Sequence, residues 1–467
     1  MVRFKSALQS PRIVATALLA VGGLITYLIN FPGSMEFDSF VQLVEARART
    51  YSNWHPAVMS WLLGVSDALP GPPAAWIVGF DMLMAFGTLI AMLWLAKRQS
   101  WAAVAAAAVM LVLPQLLMLQ AIVWKDTLFA DSVLAGFVLI GLAGVHWRRP
   151  RLRFALLGGS VMILALAVLT RQNGVVVLPC AVVGLGVIAV RFEGKWRGTA
   201  YGAGLLVAVC AIALAGNAAL QLRWDGEPSQ EEQFKILRLY DITGMVRRDP
   251  ALPLTVLDRE APEFAKLIRG KGVALWSPVK NDTLEIRPII AALDETPGPV
   301  LKRQWLDLIA HYPGHYLAVR AVLFRWVFQP PDVGLCHPFH VGEEGDPPDL
   351  KRLRMKVRLD ARDVALKHYG EFFQYSTAVF SHTPFAVICL GALLLVLRRR
   401  EPADIAVASL IAAAFAFTAT FAAVSIACDY RYLYLVDLSG LASVLYVAAD
   451  WRALWPWSRK RGPEGPL

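Results

Sequence analysis

Residues 13–39 read IVATALLAVGGLITYLINFPGSMEFDS. The first part is an unbroken apolar run of about 20 residues, which is the length that a helix needs to cross the hydrocarbon core of a bilayer. The stretch then places two carboxylates, Glu36 and Asp38, where the chain leaves this run. The pattern predicts a membrane-spanning helix followed by a polar loop at one membrane surface.

Apolar runs of the same length recur along the chain, which has 467 residues, 57% of them hydrophobic, and a mean hydropathy of +0.49. We therefore expect an all-α polytopic membrane protein with about ten transmembrane helices. A further apolar stretch, 57–69, is too short to span and predicts a re-entrant or interfacial helix. The predicted spans are 13–31, 74–96, 101–119, 127–146, 153–170, 175–190, 199–220, 378–397, 404–427 and 432–449.

Lysine and arginine residues predict the orientation of these spans, because cytoplasmic loops carry an excess of them. With the N-terminus in the cytoplasm, the short outer loops hold only Arg47, Arg49, Lys125, Arg171 and Arg431. The sequence therefore predicts cytoplasmic N- and C-termini and an uncleaved first span. The cytoplasmic ends hold Arg3, Lys5, Arg12, Lys97, Arg98, Arg148, Arg149, Arg151, Arg153, Arg191, Lys195, Arg197, Arg398, Arg399, Arg400, Arg452, Arg459, Lys460 and Arg461.

The segment 221–375 interrupts the spans and is predicted to lie outside the membrane as a mixed α/β or irregular domain. Its end, 299–328, has apolar residues at helical spacing and predicts interfacial helices. Its acidic and basic residues balance, so the net charge of +10 does not indicate a nucleic-acid partner. The predicted domains are 1–220, with the first outer loop at 32–73, then 221–375 and 376–467.

The five cysteines indicate neither a disulfide framework nor a zinc site. Cys180, Cys210 and Cys389 lie within predicted spans, where packing explains them. Cys336 and Cys428 form no recognisable pair. The pattern Cys336-His337-x-x-His340 is typical of metal ligands, but it lacks a fourth ligand, so we do not predict a metal there.

Polar side chains gather in the short outer turns, where a hairpin alone would not need them. Ionisable groups at the ends of spans are costly in lipid, so their convergence on one face predicts a site at the outer surface. The residues concerned are Glu36, Asp38, His55, Lys125, Asp126, Arg171, Asn173, Asp429 and Arg431.

Each of these residues also has a structural interpretation. Lys125 and Arg171 could reach lipid phosphates by extending along the bilayer surface. Asp126 could cap the helix that begins there, which is its favoured interpretation. Asp429 and Arg431 could form a structural pair. The acids within spans, Asp81, Asp131 and Asp437, are interpreted as packing partners of cations in the bundle.

A carboxylate at an interface can accept a proton from a hydroxyl group or hold a divalent cation. Arginine and lysine can hold a phosphate at the lipid surface and stabilise its charge as it leaves. Together these residue types indicate transfer of a group from a lipid phosphate to a hydroxyl.

The motifs Glu36-x-Asp38, His55-Pro56, Arg171-x-Asn173-Gly174 and Asp429-x-Arg431-Tyr432 resemble those of GT-C membrane glycosyltransferases. This superfamily includes protein O-mannosyltransferases, lipid A aminoarabinose transferases and oligosaccharyltransferases. The resemblance covers most of the membrane part and not 221–375. It implies a GT-C-like bundle in the bacterial inner membrane, with the active site in the periplasm.

The resemblance also implies roles for the outer-face residues. Asp38 would be the general base, and Glu36 would assist it or hold a divalent metal (Mg or Mn) together with Asp38. Lys125, Arg171 and Arg431 would bind the phosphate of a polyprenyl-phosphate sugar donor. The acceptor would be a glycan, a lipid or a protein. His55, Asn173, Asp126 and Asp429 would contact the substrates.

Three alternatives remain open from the sequence. A transporter or flippase of lipid-linked sugars would place ionisable groups near the bilayer midplane. A non-catalytic scaffold subunit would tolerate the loss of Asp38. A glycan polymerase or ligase would use the same chemistry on a whole glycan.

Overall fold

The computed structural model describes residues 10–51, 56–221, 230–280 and 282–454. Within these residues the protein is helical, with isolated β-bridges only, which confirms the all-α fold. The first half of the chain contains α1 (Pro11–Asn30), α2 (Phe37–Ala48), α3 (Ala57–Asp67), α4 (Pro73–Leu95), α5 (Trp101–Leu111), α6 (Pro114–Leu117), α7 (Lys125–Val145), α8 (Pro150–Thr170), α9 (Leu178–Glu193) and α10 (Lys195–Gln221).

The second half continues in helices of varied length, joined in places by 3-10 turns such as Val333–Cys336 and Tyr430–Leu433. These helices are α11 (Gln230–Arg248), α12 (Thr255–Glu260), α13 (Pro262–Leu267), α14 (Val273–Leu275), α15 (Arg287–Glu295), α16 (Gly298–His311), α17 (Pro313–Phe328), α18 (Pro347–Leu353), α19 (Ala361–Ser376), α20 (His382–Arg399), α21 (Pro402–Val424) and α22 (Tyr434–Leu454).

Nine helical segments of the described chain are long and apolar enough to cross a membrane, and they include α1, α4, α7, α8, α9, α10, α20, α21 and α22. The predicted span 101–119 differs, because α5 and the segment Pro114–Ala121 meet at an angle of 65°. Pro114 explains the break, since proline has no N–H to continue the helical hydrogen bonds. The apolar helix α3 has 11 residues, as its short sequence pattern predicts.

Contacts between helix ends agree with the predicted alternation of the loops. At one end of the bundle, Arg12 donates to the carbonyl of Ala96 at 2.7 Å, and Lys97 pairs with Glu401 at 3.0 Å. At the other end, Ser34 forms a bridge with Ile122. The ends that the charge pattern assigns to one side therefore meet one another.

The segment predicted as mixed α/β or irregular consists of helices and irregular connections in its described residues, with isolated bridges at Glu343 in place of strands. Its first part has a core of its own, in which Leu239, Leu301, Leu308 and Leu323 are fully buried. The apolar stripe of α16 and α17 thus packs within this core. From about residue 327 onward the segment joins the core of the membrane bundle instead, through residues such as Val327, Cys336, Leu350 and Leu353.

An ion pair lies inside the outer helical core, between Asp241 of α11 and Arg320 of α17. Asp241 also accepts a hydrogen bond from Trp305 Nε1 at 2.8 Å, and Arg320 donates to the carbonyl of Ser425 at 2.7 Å. Burial raises the pKa of Asp241, while Arg320 opposes the shift. The pair ties the outer core to the loop that precedes Asp429.

Asp241→Asn should lower the stability of the outer helical core by about 3–5 kcal/mol, because it leaves the guanidinium of Arg320 buried without a counter-charge. The measurement is thermal unfolding of the purified protein, monitored by protease cleavage within residues 230–323. Asp258→Asn is the matched control, since Asp258 pairs with Arg269 at the exposed surface and should contribute at most about 1 kcal/mol. Equal effects of the two variants would contradict the buried pair.

Candidate active site at the outer end of the bundle

Backbone hydrogen bonds hold the acidic motif in place. Ser34 donates to the carbonyl of Ala121 at 2.8 Å and accepts from Val123 N–H at 2.9 Å. On the other side, Met35 donates to the carbonyl of Gly342 at 2.9 Å. This short segment, fixed on both sides, positions Glu36 and Asp38 at the start of α2.

Arg431 is the centre of the site. Its Nη2 donates to Asp38 Oδ2 at 2.8 Å, its Nε donates to Asp429 Oδ2 at 2.8 Å, and its Nη1 donates to Glu36 Oε1. Asp126 Oδ2 lies 3.8 Å from the same Nε. One guanidinium thus joins four acids that come from three separate outer turns.

Asp126 pairs with a second arginine. Its Oδ1 contacts Arg171 Nη1, and its side chain makes no cap hydrogen bond at the start of α7, which corrects the helix-cap interpretation. The guanidinium of Arg171 also lies 5.5 Å from the ring centres of Phe421 and Tyr432. The contacts of Arg171 are therefore with the protein interior, and not along the bilayer surface.

Asp38 is the most open acid of the group. Its side chain is 32% exposed, against 19% for Glu36, 15% for Asp429 and 2% for Asp126. Lys125 lies near enough to interact electrostatically with Asp38 and Asp126. The open side of the site therefore presents a carboxylate with cations next to it.

Asn173 contributes to the structure of its own turn. The side-chain amide of Asn173 donates to Thr420 Oγ1 at 2.9 Å, which ties its turn to α21. His55 lies outside the described residues.

In this arrangement Glu36 and Asp38 leave no space between them for a divalent cation. Glu36 Oε1 and Asp38 Oδ2 both point to the guanidinium of Arg431, which occupies the space between them. Among the described residues, no group of three or more His, Cys, Asp or Glu side chains could hold a metal ion. The residues of the Cys336-His337-x-x-His340 pattern likewise form no such group.

Two residues that lie at the site were not predicted to belong to it. Trp124 Nε1 donates to Glu36 Oε1 at 2.6 Å, and its ring centre lies 5.5 Å from the guanidinium of Arg431. His337 lies close enough to Asp429 to act on it electrostatically. The position of Trp124 directly before Lys125 and Asp126 is a signal that could have found it, whereas His337 comes from a distant segment.

A buried polar cluster fixes the turn that carries Arg431. Tyr430 OH donates to Asp437 Oδ2 at 2.6 Å, and His382 Nδ1 lies 2.9 Å from Asp437 Oδ1. The ring of Tyr430 also stacks on His382, with 4.5 Å between centres. Asp437 therefore has a histidine as its partner within the bundle.

A disulfide joins Cys336 to Cys428, a pairing that the sequence pattern does not indicate. The two residues are 92 positions apart, and neither lies in a recognisable spacing motif. The bond places His337 next to Asp429 by linking the residues that precede them. Disulfides persist in oxidising compartments, so the bond is consistent with the prediction that these loops lie on the non-cytoplasmic side.

Alkylation should modify three cysteines in the denatured, unreduced protein and all five after reduction, because Cys180, Cys210 and Cys389 are free. Intact-protein mass spectrometry measures the difference. The double variant Cys336→Ser/Cys428→Ser should lose about 2–4 kcal/mol of stability, while Cys389→Ser is the control. Alkylation of five cysteines without reduction would contradict the bond.

Burial raises the pKa values of two acids in the site. That of Asp429 is raised to about 6, although Arg431 opposes the shift, and Glu36 and Asp126 add to it by repulsion. Burial likewise raises the pKa of Glu36, again against the attraction of Arg431. The network around Arg431 therefore loses negative charge as the pH falls through about 6.

Any activity that needs this network should fall as the pH drops through about 6, because Asp429 then takes up a proton and no longer pairs with Arg431 as a carboxylate. Asp429→Asn lacks this carboxylate at every pH, so its rate should be low throughout and should show no acid limb that Asp429 causes. Initial rates between about pH 5 and 8 measure this. An acid limb that is identical in the two proteins would contradict the role of Asp429.

No known family model and no curated protein matches this sequence. Solved structures are similar in part. One is the S. cerevisiae protein O-mannosyltransferase Pmt1-Pmt2 complex bound to the sugar donor, with 15% identity and a TM-score of 0.34 over 45% of this chain and 33% of that one. Another is the archaeal oligosaccharyltransferase AglB from Archaeoglobus fulgidus, in complex with an inhibitory peptide and a dolichol-phosphate, with 14% identity and a TM-score of 0.41 over 93% of this chain and 50% of that one.

The A. fulgidus oligosaccharyltransferase tethered with an acceptor peptide is also similar, with 14% identity and a TM-score of 0.41. That match covers 96% of this chain and 52% of the other, so the chain spans about half or less of the structures that it resembles. The yeast O-mannosyltransferase and the archaeal oligosaccharyltransferase belong to two of the enzyme classes that the sequence motifs resemble. Because the identities and TM-scores are low, the function is argued below from the residues of this chain.

Proposed function

We propose that this chain is a membrane glycosyltransferase that moves a sugar from a polyprenyl-phosphate-linked donor to an acceptor hydroxyl. The observation that carries the proposal is the position of Asp38, the most open carboxylate of the site, 2.8 Å from Arg431 and near Lys125. A base beside cations that can hold a phosphate matches the two needs of the reaction.

In the proposed reaction the acceptor hydroxyl gives its proton to Asp38, and its oxygen attacks the anomeric carbon of the donor sugar. The bond between that carbon and the phosphate oxygen breaks, and its electron pair leaves with the polyprenyl phosphate. Arg431 and Lys125 stabilise the negative charge that grows on this oxygen. No step needs a metal ion.

The contacts of Arg431 suggest how the donor prepares the base. Its Nη1, Nη2 and Nε are engaged by Glu36, Asp38 and Asp429. A donor phosphate competes most readily for the Nη2 position, because Asp38 is the most exposed of these three partners. Binding of the donor would then free the Asp38 carboxylate to accept a proton.

We assign a supporting role to Arg171, which the resemblance places among the phosphate ligands. Its guanidinium pairs with Asp126 and lies against aromatic rings, and its side chain is 9% exposed. Asp126 in turn lies 3.8 Å from Arg431. Arg171 thus holds Asp126 in position beneath Arg431, and Lys125 and Arg431 remain as the phosphate ligands.

We place the site on the periplasmic face of a bacterial inner membrane, with both termini in the cytoplasm. The distribution of lysine and arginine and the Cys336–Cys428 disulfide support this orientation. The outer helical core contacts the loop before Asp429 through Arg320 and Ser425, so it is positioned to affect acceptor choice. The acceptor would be a glycan, a lipid or a protein.

A second candidate function is transport of a lipid-linked sugar across the membrane. The observation that favours it is a pair of buried acids within the spans, Asp81 and Asp131, because ionisable groups at such depth often mark transport pathways. A glycan polymerase or ligase would use the same outer-face chemistry as the proposed transferase.

The test is mass spectrometry of surface glycans and of polyprenyl-linked lipids, comparing the source cell with a deletion strain after a membrane-impermeant reagent has labelled the sugars of the outer leaflet. A transferase predicts that one sugar mass disappears from the surface glycans while the polyprenyl-phosphate sugar accumulates on the outer leaflet. Transport predicts accumulation on the inner leaflet. An unchanged profile of glycans and lipids would contradict both functions.

A further inference from the structure

Two carboxylates lie inside the bundle, apart from the outer-face site. Asp81 of α4 and Asp131 of α7 are fully buried and lie close enough to repel each other electrostatically. With a rise of 1.5 Å per residue, Asp131 is about 9 Å along α7 from Lys125. The pair therefore lies among the spans, below the site that contains Arg431.

Among the described residues, three of the four carboxylate oxygens of this pair lack a donor. Asp131 Oδ1 accepts a hydrogen bond from Gln120 Nε2 at 2.8 Å. In the part of the chain that the structure describes, Asp131 Oδ2, both carboxylate oxygens of Asp81 and the amide oxygen of Gln120 are buried without a hydrogen-bond partner. No lysine, arginine or histidine of these described ranges pairs with either acid, which corrects the expectation of a cation partner.

Two other acids buried within the spans have a nitrogen-bearing partner. Asp437 contacts His382 at 2.9 Å, and Asp404 pairs with Arg399 at 2.7 Å. Taking an ionised carboxylate out of water costs several kcal/mol unless a positive charge accompanies it. Two neighbouring carboxylates without such a charge cannot both stay ionised.

We propose that Asp81 and Asp131 form a binding site for a small monovalent cation, either a proton or a sodium ion, with the amide oxygen of Gln120 as a further ligand. Carboxylate and amide oxygens are the ligands that hard cations prefer. Tyr434 is the titratable group of a neighbouring helix that faces the site, and its OH accepts from Gln120 Nε2 at 3.0 Å. The proposal is independent of the proposed sugar transfer.

Buried polar groups connect this site to the outer end of the bundle. Tyr434 OH donates to the carbonyl of Gln115 at 2.6 Å, and Gln115 Nε2 donates to Tyr430 OH at 2.9 Å. Tyr430 directly precedes Arg431. A cation that enters from the outer end would thus meet polar groups along its way to Asp81 and Asp131.

The test is infrared difference spectroscopy of the purified full-length protein, because a protonated carboxyl has a C=O absorption that an ionised carboxylate lacks. Spectra of the wild type, Asp81→Asn, Asp131→Asn and the double variant are compared in choline and in sodium buffer. Asp404→Asn is the control, since Asp404 pairs with Arg399 and should contribute no such band.

A proton site predicts a band in both buffers that the double variant lacks. A sodium site predicts the band in choline only, together with a rise in Tm on adding sodium that the double variant does not show. A wild-type protein that shows neither the band nor a sodium-dependent Tm would overturn the proposal.

If the variants do not fold, a carbodiimide, which modifies protonated carboxyls in apolar surroundings, tests the wild type alone. Peptide mass spectrometry should find the label on Asp81 or Asp131 in choline buffer. Protection by sodium would assign the sodium ion, and labelling that sodium does not change would assign the proton. Absence of label from both residues in choline buffer would overturn the proposal.

Discussion

Asp38→Asn should reduce the rate of sugar transfer by about 10²–10⁴-fold, the range that a general base contributes. Asparagine keeps the size of the side chain but cannot take the proton of the acceptor hydroxyl. The fold should persist, because Arg431 keeps its hydrogen bonds to Glu36 and Asp429. The measurement is transfer from a radiolabelled polyprenyl-phosphate sugar by purified protein, with the Tm recorded alongside.

Asp67→Asn is the matched control for this variant. Asp67 pairs with Arg47 at 2.7 Å near the same end of the bundle, but it lies outside the group around Arg431. Its replacement should leave the transfer rate within about twofold, since exposed pairs contribute little. Full activity of Asp38→Asn would contradict the assignment of the base.

Arg431→Lys should lower kcat by about 10²–10³-fold, the usual loss when one preorganised charge-stabilising donor is removed. Arginine binds Glu36, Asp38 and Asp429 at once through a planar fork of donors. The compact ammonium group of lysine cannot reproduce that geometry. Initial rates at saturating donor measure kcat, and the apparent KM for the donor should rise as well.

Arg399→Lys separates this effect from a loss of stability. Arg399 also bridges two buried acids, Asp404 and Asp450, but at the opposite end of the bundle. This variant should lower the Tm and leave kcat per folded molecule unchanged. If both lysine variants lose kcat to the same extent, the role of Arg431 is structural and the phosphate-binding proposal is contradicted.

The spans could be predicted from sequence because they depend on a local pattern, and the orientation predicted from charge stays a prediction. A run of about 20 apolar residues fixes the length of a span, and the lysine and arginine counts fix which loops share a side. The broken span at Pro114 is a limit of this reasoning. Composition alone predicts one continuous span at 101–119. The helix breaks at Pro114 because proline has no N–H to continue the helical hydrogen bonds.

Asp429 and Arg431 form the pair that their spacing suggests, but the other partners within the site could not be predicted, because they depend on contacts between distant parts of the chain. Asp126 in the first turn of α7 is typical of a helix cap, but the guanidinium of Arg171 provides a charged partner that outweighs this local preference. Cys336 and Cys428 are brought together by the packing of the outer segment, which no spacing motif records. The residue types of the site were predictable, and their pairing was not.

Release of polyprenyl phosphate tests the central claim most directly. Purified protein in nanodiscs is given a defined polyprenyl-phosphate sugar and a panel of acceptors, and the lipid products are followed by mass spectrometry. The account predicts that the wild type releases polyprenyl phosphate together with a glycosylated acceptor, and that Asp38→Asn and Arg431→Lys do so at least about 10²-fold more slowly. Equal release by all three proteins would contradict it.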